Sequence, residues 1–228
     1  VKSGFDKNPF SFLFTHRVKH DFEVGKHEIH RNYNLLLPYT QLPVVNPRLY
    51  PSDSDLEQVA PYKQQPYICM APASVWFTKQ YPEHKWVELI DAFEGKYQIY
   101  ILGAPSDAAM ADRIIAQCKY AQSTFKLTGK LSLLQSAALM KDSIMNYVND
   151  SAPMHLCSAV DAPVTAIFCS TVPEFGYGPL SSASHIVQVQ ENLDCRPCGI
   201  HGHKKCPKGH FKCGEHIQVA QLKRWVEA

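Results

Sequence analysis

Apolar runs short enough to be strands begin at Tyr67. From there they alternate with longer stretches in which apolar positions recur every three or four residues, the period of a helix lying on a sheet. The short runs predict strands over Tyr67–Ala71, Tyr97–Leu102, Thr124–Leu127, Ser143–Val148, Val164–Phe168 and His185–Val189. The periodic stretches between them predict helices over His84–Phe93, Asp107–Ala121, Ser132–Lys141 and Met154–Val160. Alternation of this kind specifies a parallel sheet with helices on both faces, a Rossmann-like α/β fold. The sequence has no GxGxxG fingerprint, which weakens the usual dinucleotide reading.

Ahead of Tyr67 the pattern is less regular. Phe10, Phe12, Leu13 and Phe14 stand among histidines at 16, 20, 27 and 30, and residues 27–37 suit a short amphipathic helix. With no cysteine or carboxylate at ligand spacing, these histidines read as surface and linker residues rather than a metal site. Pro38, Pro43, Pro47 and Pro51, followed by Ser52, Asp53, Ser54 and Asp55, have the composition of a connector, which Pro61 and Pro66 extend.

One segment stands where a strand hands over to a helix: Asn149, Asp150, Ser151, Ala152, Pro153, Met154, His155. In an open α/β sheet this is where ligands bind, because helix-start amides point outward with the positive end of the helix dipole behind them. Taken alone, the segment reads as an Asp-Ser helix cap with Pro153 in the first turn.

Its companions change that balance. Met70–Ile90 (MAPASVWFTKQYPEHKWVELI), Ile99–Pro105 (IYILGAP), Leu127–Met140 (LTGKLSLLQSAALM) and Pro163–Ser181 (PVTAIFCSTVPEFGYGPLS) surround it in a fixed order. Together these blocks resemble the C-terminal half of the ADP-heptose lipopolysaccharide heptosyltransferases, inverting glycosyltransferases of the two-domain GT-B architecture. The resemblance is close over residues 67–181. It is most specific at Asp-Ser-x-Pro-Met-His, followed at the expected distance by Pro163, Thr171 and Gly178-Pro179. It departs at Ala152, where the family usually carries glycine and where a Cβ narrows the approach of backbone to ligand.

The resemblance implies a nucleotide-sugar site. Lys79, in the order Lys-x-aromatic-Pro, would stabilise charge on the departing diphosphate, with Ser74 and Thr78 as hydroxyl donors from the same loop. Asp150 and Ser151, with the backbone of Ala152, Pro153, Met154 and His155, would form the opposite wall. Asp107 would accept from ribose hydroxyls, and Leu131 would face adenine. The His155 side chain would donate a hydrogen bond to a phosphate oxygen; the residues also allow a helix-start carboxylate at Asp107, a core leucine at Leu131 and a packed helix-start histidine at His155. In this family the general base belongs to an N-terminal acceptor domain. Residues 1–50 are accordingly read as a remnant of that domain plus linker and residues 51–194 as the nucleotide-sugar domain. The chain is read as a fragment expected to bind donor without turnover.

Cys195-x2-Cys198-x7-Cys206-x6-Cys213 gathers half of the eight cysteines into a Cys-rich segment, residues 195–216, ahead of a C-terminal helix over 217–228. In a reducing compartment the set points to structural zinc, with free thiols, disulfides and an iron–sulfur cluster as competitors. Transfer itself would need no metal. Cys69, Cys118, Cys157 and Cys169 lie in apolar elements and read as small buried residues.

Charge adds little. A net +2, from 23 basic and 21 acidic residues, gives no footprint for nucleic acid. Lys204, Lys205, Lys208, Lys212, Lys223 and Arg224 cluster near the C-terminus as a solvated rim, compatible with peripheral contact to an anionic membrane face. No apolar run approaches the roughly twenty residues needed to span a bilayer, and the start has no secretory signal, so a cytoplasmic location is expected, with the inner face of the inner membrane as the place of contact. The expected partners are an ADP-sugar donor and a lipid-linked oligosaccharide acceptor. The rivals are a transferase of the same fold using another sugar nucleotide, and a non-catalytic binding module bearing a zinc ribbon.

Overall fold

The computed structural model describes residues 1–20 and 25–226. The chain divides into two compact units: Val1–Asn46 with Pro173–Gly178, and Pro47–Val172 with Pro179–Ala228.

The first unit holds a parallel strand pair, β1 (Ser3–Phe5) and β2 (His16–Val18), and a helix, α1 (Glu28–Tyr33), shorter than the 27–37 expected. His27 caps this helix. Its Nδ1 accepts from the Ile29 amide at 3.3 Å while Nε2 meets the Gly178 carbonyl at 3.1 Å, so one neutral tautomer satisfies both. Arg31, 2% exposed, donates to the Glu28 carboxylate and to the carbonyls of Lys26 and Phe175, at 2.6, 2.6 and 2.9 Å. Gly176, at φ +91°, lets the Lys26 carbonyl stand where a side chain would begin.

The second unit opens with a correction. The Ser- and Asp-rich stretch expected to be connector forms a helix, α2 (Asp53–Val59), because Ser52 Oγ accepts from the Asp55 amide and the Asp55 carboxylate accepts from the Ser52 amide. The polar residues that read as linker are a reciprocal N-cap.

Six parallel strands follow: β3 (Tyr67–Ala71), β4 (Gln98–Ile101), β5 (Thr124–Lys126), β6 (Met145–Asn149), β7 (Val164–Phe168) and β8 (Ser184–Gln188). They lie in the order β5-β4-β3-β6-β7-β8. The helices between them are α3 (Glu83–Ala92), α4 (Ala108–Gln117), α5 (Leu133–Lys141) and α6 (Ala152–Ala159). Successive residues of β3 enter opposite cores: Ile68 and Met70 pack with Trp86, Leu89 and Tyr147, whereas Cys69 and Ala71 pack with Tyr100, Leu139 and Phe168. Burial on both faces explains why the inner strands β3 and β7 read as continuous apolar runs.

The expected elements shift by a few residues for local reasons. A 3-10 turn over Pro105–Asp107 delays α4, which stops at Gln117 because Cys118 is extended. Helix α6 begins at Ala152, two residues early, since Pro153 fits a first turn. The C-terminal helix expected over 217–228 is the shorter α8 (Val219–Lys223), preceded by a one-turn helix, α7 (Lys212–Glu215), inside the Cys-rich segment; residues 227 and 228 lie outside the described residues. Among the described residues no helix is long and apolar enough to cross a membrane.

From β3 the chain moves outward through β4 and β5, then returns to lay β6 on the other side of β3. The strand order therefore reverses between β3 and β6. The loops at their C-terminal ends part there and leave a crevice.

Candidate functional site

Two turns border that crevice, and Asn149 at the end of β6 joins them. Its buried amide nitrogen donates to the Pro72 carbonyl at 2.7 Å, and its oxygen accepts from the Tyr81 amide at 2.9 Å. Both ends of the loop following β3 are thereby pinned to β6. Within that loop a 3-10 turn, Phe77–Lys79, carries Lys79 to the next residue of β6's own turn. Lys79 Nζ lies 2.6 Å from Asp150 Oδ2, with the two side chains only 15% and 7% exposed. Thr171 Oγ1 donates to the same carboxylate oxygen at 2.6 Å. Asp150 is thus neutralised and held from two directions. A lysine ammonium has three protons, so one bond to Asp150 leaves two for a ligand.

A cavity of about 690 Å³ opens at the C-terminal ends of β3, β4 and β6, lined in part by Ser74 and Ser151 from the two turns that carry the pair. Its polar lining includes Ser74, Asp107, Ser132 and Ser151, and its apolar lining includes Val75, Leu131 and Pro153. Asp107 is the one carboxylate among the described lining residues. One of its oxygens accepts from the Ala104 amide at 2.8 Å, closing the turn after β4 on itself while leaving acceptor capacity to spare. Two glycines shape this wall. At Gly103 a Cβ would lie 2.8 Å from Asp107 Oδ2, and at Gly129, φ +71°, it would lie 2.9 Å from Pro105 Cα.

The structure thus brings Ser74, Asp107, Leu131, Ser151, Ala152 and Pro153 around one cavity, while Lys79 and Asp150 pair with each other and do not line it. Three more expected site residues stand elsewhere. Thr78 is 1% exposed and faces the Cys-rich segment, because the 3-10 turn sends neighbouring side chains in different directions. The Met154 side chain is buried in the core and its amide donates to the Ser151 carbonyl at 3.0 Å, so that amide is not offered to a ligand. His155 is exposed on α6 and does not line the cavity. Pro153 carries no amide proton, leaving the first amides, at Ser151 and Ala152, as the helix-start donors of the cavity wall.

The zinc centre expected at Cys195, Cys198, Cys206 and Cys213 is not assembled. All four are free thiols lining one hollow of about 280 Å³. Among the described residues no group of three or more His, Cys, Asp or Glu is arranged to hold a metal ion. Cys198 Sγ is turned to the Cys195 carbonyl at 3.0 Å, and burial together with the neighbouring cysteines pushes the Cys213 thiol up to about 12. The donor set suits a soft metal in composition, but at least one of its thiols, Cys198, is turned to a backbone carbonyl.

Sequence reasoning assigned no role to Asn149, Thr171 or Arg196. A polar residue ending an otherwise apolar strand is a usable sign for Asn149, since a buried amide must find partners. Thr171 is marked by the family resemblance, though with no role attached, and nothing local marks Arg196.

An open parallel sheet with a polar-rimmed cavity at its reversal point, flanked by a lysine-bearing loop and a helix start, defines a Rossmann-like domain of the kind found in GT-B glycosyltransferases. Residues 1–208 match the family model described as Glycosyltransferase family 9 (heptosyltransferase), and the chain belongs to that family. It is 27% identical over 193 residues to lipopolysaccharide heptosyltransferase 2 of Salmonella typhimurium, covering 82% of this chain and 51% of that protein. In fold it resembles a family 9 glycosyltransferase from Veillonella parvula, with TM-score 0.76, 22% identity, and 96% of this chain and 64% of that one covered. It also resembles the E. coli heptosyltransferase WaaC with ADP, with TM-score 0.65, 19% identity, and 97% and 62% covered. The chain spans about half the length of the curated relatives it matches.

Proposed function

We propose that this chain is the donor-binding half of an inverting glycosyltransferase that moves a heptose from ADP-heptose to a lipid-linked lipopolysaccharide core acceptor. The observation that carries the reading is the Lys79–Asp150 pair joining two βα turns whose Ser74 and Ser151 line a cavity large enough for a nucleotide. Family membership and the relative bound to ADP support the choice of donor.

In this reading the adenosine lies in the cavity, with Asp107 accepting from ribose hydroxyls and Leu131 against the base. The diphosphate turns toward the Lys79 ammonium, Ser74 and the amides of Ser151 and Ala152. Asp150 positions Lys79 and does not itself touch phosphate, because its charge would repel the ligand. As the acceptor hydroxyl forms its bond to the anomeric carbon, the bond from that carbon to the diphosphate oxygen breaks and negative charge builds on the leaving group. Lys79 and the amides, already fixed, lower the energy of that charge without a metal. The acceptor's proton goes to a base that we place outside the cavity walls, where Asp107 is occupied with the ribose. Peripheral contact with the cytoplasmic face of the inner membrane, through the lysines of the Cys-rich segment, belongs to the same proposal.

Calorimetric titration of the chain with ADP, UDP and GDP tests it. ADP should bind in preference to the others. Lys79→Met should weaken ADP binding about 10- to 100-fold, the size of one or two lost charge-assisted hydrogen bonds. Equal affinity for the three nucleotides, or indifference to Lys79→Met, would remove the assignment.

A further inference from the structure

The Cys-rich segment does not hang from the nucleotide domain; it is bonded into the loops that carry the ion pair. Thr78, the residue before Lys79, exchanges hydrogen bonds with the backbone of His203 in both directions. The Thr78 amide donates to the His203 carbonyl at 3.1 Å, and the His203 amide donates to Thr78 Oγ1 at 2.8 Å. Ser170 closes the arrangement, its Oγ donating to Thr78 Oγ1 at 3.0 Å and its amide to the Thr78 carbonyl at 3.2 Å, while the Cys198 amide donates to the Ser170 carbonyl at 2.8 Å. Next to His203, Gly202 has φ +75°, and a Cβ there would fall 2.9 Å from Thr78 Oγ1 and 3.2 Å from Lys79 Cγ. The segment's backbone therefore lies against the stem of the lysine.

The other partner of the ion pair is reached from the same segment. The Arg196 guanidinium, between Cys195 and Cys198, donates to the carbonyls of Cys169 and Thr171 at 2.7 Å each and to Gln188 Oε1 at 2.7 Å. Thr171 is the residue whose hydroxyl holds Asp150. One stretch of chain thus fixes the backbone on both sides of the pair, and the thiol-lined hollow has Thr78 and Ser170 in its walls.

We propose that the Cys-rich segment is a positioning brace for the Lys79 ammonium, with Thr78, Gly202 and Arg196 as positioning residues that set how Lys79 meets the terminal phosphate of a nucleoside diphosphate. This rests on the donor-site reading above. Whatever alters the thiol-lined hollow acts on nucleotide affinity through Thr78.

The test uses the whole chain, titrated with ADP and with AMP, which lacks the phosphate that Lys79 would hold. In Thr78→Val, which removes the hydroxyl and keeps the shape, ADP should bind about tenfold more weakly while AMP changes little, the loss expected when one charged phosphate contact is misplaced. Thr78→Ser, which restores the hydroxyl, should recover the ADP preference. A purely structural role would lower the melting temperature and weaken both nucleotides alike. Should Thr78→Val fail to fold, Gly202→Ala and Arg196→Lys carry the same comparison. An unchanged preference for ADP over AMP in whichever of these variants fold overturns the brace. Lys79→Met is run beside them: if it too keeps the preference, the donor-site reading is what fails, and if it alone loses the preference, only the brace is wrong.

Discussion

The turns after β3 and β4 leave neighbouring strands and border the same cavity, yet they are held differently. The turn after β4 is capped by its own carboxylate, Asp107 accepting from the Ala104 amide three residues away, with one backbone tie from the turn after β5, where the Gly129 amide donates to the Gly103 carbonyl at 2.9 Å. The turn after β3 has bonds of its own, the Lys79 amide donating to the Trp76 carbonyl at 3.0 Å and Gln80 Nε2 to the Ser74 carbonyl at 2.6 Å, but it is also anchored from several distant segments. Its ends are fixed by Asn149, its middle by Ser170 and His203, and its lysine by Asp150. The wall proposed to face ribose needs shape, which a short self-capped turn supplies. The wall proposed to face diphosphate must keep a flexible four-carbon side chain in one place, and only anchors from outside the loop can do that.

If that contrast is right, the largest effect should come from the outside anchors. Asn149→Ala leaves a buried carbonyl and a buried amide without partners, at about 1–3 kcal/mol for each. Chemical denaturation should show a loss of several kcal/mol together with weakened ADP binding, and a near-neutral result would mean that the loop is held by its own packing. An intermediate effect is expected at Gly129→Ala, where a Cβ would press on the Pro105 backbone at positive φ. Left-handed strain of this kind costs about 1–3 kcal/mol. Adenosine itself, which has no phosphate, should bind more weakly if the β4 wall has shifted, and unchanged adenosine affinity would detach that wall from the site. The smallest effect belongs to Asp107→Asn, which keeps an oxygen for the Ala104 amide and removes only the charge. Stability should move by about 0.5 kcal/mol or less, as for a helix-start carboxylate, while a modest loss of affinity for ADP over its 2′,3′-dideoxy analogue would locate the ribose contact.

Much of the sheet was legible because its strands are buried on both faces and its helices are periodic. Tyr67–Ala71 and Val164–Phe168 are strands to the residue. Lys79 and Asp150 were both readable from local motifs, although their contact spans the reversal of strand order. What escaped was chemistry made between distant segments. Thr78 reads as a cavity hydroxyl until His203, 125 positions later, is seen to hold it. Ser52 and Asp55 read as linker because a reciprocal cap and a connector share the same residue types. The four cysteines read as a closed metal tetrahedron from spacing alone, which does not reveal that Cys198 turns its thiol to a carbonyl.

Pro173–Gly178 belongs by its contacts to the first compact unit, although the second surrounds it in sequence. The polypeptide therefore passes from one unit to the other three times, and no single cut separates them. Deleting residues 1–46 would strip the Phe175 carbonyl of its arginine and leave Gly176 bent around an absent neighbour. Exchange of nucleotide-binding halves between relatives should accordingly carry this six-residue passenger together with the segment that clasps it, or replace both.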